Sequence, residues 1–336
     1  MYKQKIILGI SCGDVNGIGV EILIKTFIDK TLFDFFTPVL YVPSEILTFY
    51  IQSLELDQFK FNIINDINHL SSTQLNIVSW RGNDQVVIKP GTPDPRTAPI
   101  TISSLDMAIE HWKNKKTDVL VTLPVNKFYL SSKNKEFVGH TEYLLNHFPN
   151  KENLMFLCTE DLKIATVTNH IPILKVPFVI TKELLVRKIN ILMDSLKLDF
   201  MISKPKIAIL GLNPHAGDGG LIGCEEKQII VTVVESFYKL CDLVFGPYSA
   251  DGFFGSGNYK HFDAVLGMYH DQALIPFKTI SFGRGVNYTA GLPRVRVSPD
   301  HGVGYDIVGK GVSKTDSFIS SLFLARDIYK NRLVVT

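Results

Sequence analysis

The chain has little that would staple, anchor or strongly charge it. Its 336 residues include four cysteines, Cys12, Cys158, Cys224 and Cys241. They form no C-x-x-C pair and no zinc-ribbon spacing, and a disulfide-stapled miniprotein is excluded. Free, mostly buried thiols in a reducing cytosol are expected. No apolar run reaches the roughly 18 residues that a membrane span needs. The run from Ile6 to Ile10 gives way at once to Ser11-Cys12-Gly13-Asp14. That suits a first buried strand and is too short for a signal-peptide core. Net charge is nearly absent, with 35 Lys and Arg against 33 Asp and Glu. So weak a field points away from nucleic acid and from anionic membrane as partners. A cytoplasmic protein is expected.

What is present is globular. Apolar residues make up 46% and charged residues 20%, which excludes extended disorder. The length suggests about two domains. Short apolar runs alternate with amphipathic stretches. Strands are expected at 5–11, 119–122, 154–158, 164–168, 206–211, 263–268 and 295–298. Helices are expected at 20–30, 99–113, 181–197, 225–240 and 315–330, with Thr181 as an N-cap. Near-continuous apolar strands separated by helices indicate a parallel sheet covered on both faces. The Asn-, Ile- and Ser-rich stretch 62–83 reads as a polar, irregular excursion.

In open parallel sheets, ligands bind beyond the carboxyl ends of strands. Three histidines follow strand runs there: His170, His215 and His270, the last before Asp271. Three imidazoles converging from separate strands would make a divalent-metal site with positions open to water or substrate. For each alone, the plain alternative is a histidine bonded to a nearby carbonyl. The turn 217–223 opens a helix at Glu225-Glu226 and could offer N–H groups to an anion, although the two glutamates would discourage phosphate. The loop 13–19 lacks the spacing of a dinucleotide fingerprint and reads as a tight turn. Lys278, Arg284, Arg294 and Arg296, with Asn287 among them, suit a phosphorylated or carboxylated small substrate. Gly139-His140-Thr141-Glu142 opens a helical stretch, with Thr141 as its expected N-cap. The Gly-rich loop 300–311 follows a short strand, and such a loop is more often functional than filler.

These motifs together resemble the 4-hydroxythreonine-4-phosphate dehydrogenases of pyridoxal phosphate biosynthesis. The matching segments include 13–21, Pro124-Val125-Asn126-Lys127, 139–142, 168–172, 212–220, 268–272, 282–287 and 300–311. The resemblance implies an enzyme that oxidises the C3 hydroxyl of 4-phosphooxy-L-threonine with NAD or NADP. The keto acid formed then loses CO₂ to give 3-amino-2-oxopropyl phosphate. It implies a divalent metal (Zn, Mg or Co) on His170, His215 and His270, contributed by both subunits of a homodimer with its active site at the interface. Three imidazoles suit Zn²⁺ best, since Mg²⁺ prefers oxygen. Substrate contacts fall on His140, Thr141, Lys278, Asn287 and Arg296. Lys278 and Asp251 are the candidate catalytic residues, and Asp251 and Asp271 could also orient the metal-bound imidazoles. The loop at 300–311 resembles the adenosine-cradling loop of isopropylmalate and isocitrate dehydrogenases, placing the cofactor at His301, Gly302 and Asp306. The implied fold is α/β, isocitrate/isopropylmalate dehydrogenase-like. It has two three-layer α/β/α subdomains with a cleft between them. The first is discontinuous, 1–130 plus 290–336. The second, 131–289, holds most metal and substrate residues.

Three departures from the family pattern stand out. Val15, Asn16 and Val20 replace Pro, Ala and Pro in the first loop, and Asn126 stands where many members carry His. Tyr305 brings bulk into the Gly-rich loop and could alter cofactor affinity or choice. The alternative activity is a 4-phospho-D-threonate or erythronate dehydrogenase of the same fold, differing in substrate by the α-ammonium. A third reading, an anion-binding or acyl-transfer protein, has no need of three histidines.

Overall fold

Ile6–Ser11 forms β1, buried along nearly its whole length, and lies between β2 (Phe36–Tyr41) and β5 (Val119–Thr122). A computed structural model describes residues 5–81, 88–133, 139–148, 152–281 and 283–335. Phe282, part of one family motif, lies outside the described residues. Two compact units are present, 1–150 with 293–329 and 151–292 with 330–336.

The first unit adds β3 (Phe61–Ile64), β4 (Leu75–Val78) and β12 (Arg296–Pro299), giving the order β3-β4-β2-β1-β5-β12. Every pairing in it is parallel. All residues of β2 and β5 are buried, so both faces are covered. Helix Ala98–Lys113 packs on β1, β2 and β5 and buries Leu105, Ile109 and Trp112. The close approach of β1's exit to the chain after β5 requires glycine at position 13. There φ is +67°, and a Cβ would sit 2.4 Å from the Pro124 carbonyl oxygen.

The second unit contains β6 (Leu154–Cys158), β7 (Lys163–Thr166), β8 (Ile207–Leu210), β9 (Val244–Tyr248), β10 (Ala264–Gly267) and β11 (Val286–Ala290). Their order is β11-β6-β7-β10-β8-β9. β7, β10, β8 and β9 run parallel, but β6 is antiparallel to both β7 and β11. The expected all-parallel sheet is corrected here. The hairpin from Cys158 to Lys163 is closed by Thr159 N–H on the Leu162 carbonyl at 2.8 Å, and so short a link can join only antiparallel strands.

Other expectations change for local reasons. The polar stretch 62–83 contains the end of β3 and all of β4. Asn76 is buried in β4, and its amide donates to Pro38 O, Ser71 O and Gln74 O while accepting from Asn62 Nδ2 and Ser71 N–H. Residues 139–148 belong to the first unit rather than the second. Tyr143 Oη donates to Asp106 at 2.6 Å, and Phe148 packs edge-on against Trp112. The first boundary thus falls at 150, not 130, and the last turn of helix Asp316–Val335 groups with the second unit. Cys12 and Cys158 are buried, but Cys224 and Cys241 are exposed, so the thiols are not mostly buried. No helix among the described residues is long and apolar enough to cross a membrane.

Candidate active site

The carboxyl ends of β7, β10 and β8 lie side by side, because these strands are parallel neighbours. Pairing continues past the end of β7. Val167 N–H donates to Gly267 O at 2.8 Å, and Thr168 Oγ1 donates to Met268 O at 2.8 Å. This extended zipper carries His170 alongside His270, with ring centroids 5.6 Å apart. Both line a cavity of about 290 Å³ with Asn169, Ile173, Tyr269 and Asp271. His270 Nδ1 lies 2.6 Å from Asp271 Oδ1. A carboxylate there fixes the proton on Nδ1 and leaves the Nε2 lone pair available.

His215 follows β8, the parallel neighbour of β10. It sits on a left-handed turn after β8, with φ +53° and ψ +29°. Among the described residues, no three His, Cys, Asp or Glu side chains gather to hold a metal ion. The expected convergence of three imidazoles is therefore not made within one chain. Asp251, exposed near the start of helix Ala250–Gly255, accepts from Ser249 Oγ at 2.5 Å. That bond and its backbone contacts hold its carboxyl below the usual range, with the His215 charge adding to the effect. Lys278 lies on an exposed position of helix His270–Ser281, about two turns beyond His270. Asn287 lies on β11, and its buried Oδ1 has no hydrogen-bond partner among the described residues.

In the first unit a second cluster forms at the ends of β5 and β12. Arg296 is fully buried, donates from Nη2 to Thr122 Oγ1 at 2.5 Å, and has the Glu142 charge nearby. Burial pulls its pKa down to about 10. His140 opens helix His140–Asn146. Desolvation of its ring, reinforced by the Arg296 and Lys127 charges, holds its pKa well below the ordinary value, so the imidazole is neutral. Gly139, not Thr141, occupies the N-cap, and Thr141 lies inside the first turn. Arg294, grouped with the cationic residues in the sequence, is committed to the Thr117 and Asp118 carbonyls.

The Gly-rich loop 300–311 is pinned to the start of the chain. Ile18 N–H donates to Val303 O at 2.9 Å, and Gly309 N–H donates to Glu21 Oε2 at 2.7 Å. Tyr305 Oη donates to Asp14 Oδ2 at 2.5 Å and accepts from Asn126 Nδ2 at 3.1 Å. Asn126, at the family's frequent histidine position, thus braces this loop. Gly302 and Asp306 are exposed, and His301 Nδ1 lies 3.1 Å from Gly302 O. Burial raises the Asp14 pKa, against the opposing Tyr305 bond. The folded state therefore holds the Asp14 proton more tightly than the unfolded state. Its stability contribution is full below the unfolded pKa and is lost as pH rises through the folded one. Asp14→Asn keeps an acceptor for Asn16 N–H. Melting temperatures taken from pH 4 to pH 7 should move in the mutant's favour as pH rises. A constant difference across that range counts against a raised Asp14 pKa.

A family model described as pyridoxal phosphate biosynthetic protein PdxA matches residues 34–325. The chain belongs to the PdxA family. A 4-hydroxythreonine-4-phosphate dehydrogenase of Bacteroides thetaiotaomicron is 43% identical over 333 residues, 99% of this chain and 91% of that one. The crystal structure of the Klebsiella pneumoniae 4-hydroxythreonine-4-phosphate dehydrogenase matches with a TM-score of 0.81 at 29% identity. It covers 97% of this chain and 100% of that chain.

Within this PdxA-family chain, two structural residues carry more than their sequence context indicates. Gln272 accepts from Met268 N–H at 2.7 Å and donates to Gly211 O at 2.6 Å, tying the entry of the His270 helix to the base of the His215 turn. Glu226 is read in the sequence as a first-turn residue. Its carboxylate instead takes the N–H groups of Leu212 and Asn213, which precede the turn 217–223. A buried glutamate just after a glycine cluster was the available signal. The donor chemistry fits a divalent metal: His270 has its tautomer set by Asp271, and His170 lies within ring-contact distance. Exposed Asp306 and the open position at Gly302 likewise suit the ribose hydroxyls of a dinucleotide.

Proposed function

We propose that this chain is an NAD(P)- and divalent-metal-dependent 4-hydroxythreonine-4-phosphate dehydrogenase. The single supporting observation is the His170–His270 pair, with Asp271 on His270 Nδ1, in a chain that matches the PdxA family over most of its length. Bound NAD or NADP would take up the C3 hydrogen of 4-phosphooxy-L-threonine as hydride, and the C3 hydroxyl proton would be released. The product, 2-amino-3-oxo-4-phosphooxybutanoate, is a β-keto acid. It loses CO₂, and a proton takes its place on C2, giving 3-amino-2-oxopropyl phosphate.

His170, His215 and His270 would hold the metal, with a second copy of the chain supplying what one copy does not bring together. When bound, the metal supplies Lewis-acid polarisation at the oxygen being oxidised. Lys278 and Arg296 neutralise the substrate's anionic groups. His140, Thr141 and Asn287 complete the substrate contacts. Neutral His140 can donate one hydrogen bond and accept another. Asp251 steadies His215. His301, Gly302 and Asp306 receive the adenosine side of NAD or NADP. The cytoplasm is the proposed location.

The test is NAD(P)H formation at 340 nm with 4-phosphooxy-L-threonine, with and without chelator. Turnover should depend on added metal and fall by at least about 10²-fold on chelation. Turnover of 4-phospho-D-threonate alone would move the chain to the alternative substrate. Undiminished turnover after complete metal removal would overturn the metal assignment.

A further inference from the structure

The backbone leading out of β8 is held in an unusual conformation. Five consecutive residues, His215 to Gly219, have φ between +42° and +80°. Three of them, His215, Ala216 and Asp218, carry side chains, for which left-handed backbone is strained. Such a run persists only where its surroundings over-determine it.

Those surroundings centre on one carboxylate. Glu226 is only 4% exposed. Its Oε1 accepts from Leu212 N–H and Asn213 N–H, both at 2.7 Å, and its Oε2 accepts from Asn213 Nδ2 at 3.0 Å. The turn wraps this group closely: a Cβ at Gly217 would lie 2.6 Å from Oε2, and one at Gly211 3.2 Å from Oε1. Among the described residues Glu226 has no ion-pair partner, so N–H donors alone stabilise its charge. A buried, unpaired carboxylate is a costly way to close a turn. All its hydrogen-bond donors belong to the two residues at the root of the segment that presents His215. The helical turn carrying it, 226–230, is a π-turn, a rare form that is frequent at functional sites.

We infer that Glu226 is a positioning residue for His215. Its carboxylate holds the left-handed turn and thereby sets where that imidazole stands. The inference rests on the reading of His215 as a metal ligand.

The test is a double-mutant cycle read by metal affinity, not by turnover. Full-length protein is stripped of metal and titrated calorimetrically with Co²⁺ and with Zn²⁺. The set is wild type, Glu226→Gln, His215→Ala and the double variant. Gln keeps one carbonyl acceptor but turns an NH₂ toward Asn213. Glu226→Gln should loosen metal about 10–100-fold, the usual range for a group supporting a ligand. In the His215→Ala background it should loosen it no further. Equal losses in both backgrounds would reduce Glu226 to a structural residue and overturn the inference. So would wild-type affinity in Glu226→Gln beside a weakened His215→Ala. If His215→Ala binds metal as wild type does, His215 is no ligand, and both the ligand reading and the inference fall. Should Glu226→Gln not fold, Asn213→Ala removes the side-chain bonds to Glu225 and Glu226, leaves both backbone N–H bonds to Glu226 in place and carries the same cycle, with a smaller expected loss of about threefold to tenfold.

Discussion

His270→Ala should lower kcat/KM by about 10³-fold or more and abolish stoichiometric metal binding, while leaving the melting temperature within a few degrees of wild type. The size follows from what the ligand supplies. Lewis-acid stabilisation by a bound divalent ion is worth several kcal/mol at the transition state, and about 4 kcal/mol corresponds to a factor near 10³. The small effect on stability follows from position. His270 is the first residue of its helix, its ring is partly exposed, and its Nδ1 meets the exposed carboxylate of Asp271. Asp271→Asn should be milder, about 10–100-fold in metal affinity. Asparagine can still accept from Nδ1, but it carries no charge and can instead present its NH₂ and favour the wrong tautomer. Calorimetric metal titration with steady-state kinetics separates these outcomes. If His270→Ala retains wild-type metal affinity, the metal does not sit on this imidazole.

The sequence carries the site more clearly than the surroundings that shape it. Apolar runs ending in histidine identify β7 and β10 as strands and put His170 and His270 at one sheet edge, because period and burial are properties of the local residues. The same reasoning misses β3 and β4. Asn62, Ser71 and Asn76 look like loop residues, and only the folded chain shows that they satisfy one another around one buried amide. Strand direction is equally hidden in composition: β6 is as apolar as the parallel strands β8 and β10, and the tight link at Thr159–Leu162 reverses it. Thr141 is an attractive cap by type, yet the helix is capped two residues earlier, at Gly139. The left-handed turn at His215 depends on Glu226, eleven positions downstream. No local pattern links a glutamate to a backbone it meets only after the turn has closed.

The largest stability effect is expected far from this chemistry, at Asp199. Its side chain is 1% exposed, and it accepts from Ser195 Oγ at 2.6 Å, Tyr288 Oη at 2.5 Å and Arg332 Nε at 2.6 Å. Arg332 also donates to Leu292 O at 3.0 Å and to Tyr288 Oη at 2.8 Å, while Asn331 Nδ2 donates to Asp199 O at 2.7 Å. The last turn of the C-terminal helix is thereby fastened to the second unit. Burial, with the adjacent Asp199 charge, pushes the Tyr288 phenol well above its usual range, so it remains a donor. Arg332→Met strands a buried carboxylate and should cost about 3–5 kcal/mol. For a unit of this size that lowers its melting transition by roughly 10 °C. Asp199→Leu alone leaves Arg332 without its counter-charge, but the arginine is 16% exposed and can turn toward water, so its loss should be smaller. The double variant Asp199→Leu/Arg332→Met removes both charges and should recover much of the single-variant loss, because a well-packed apolar pair often matches a buried ion pair. Thermal and urea melts of the four proteins measure the coupling. Strictly additive losses would mean that Asp199 and Arg332 act independently, and that Ser195 and Tyr288 alone suffice to hold the buried carboxylate.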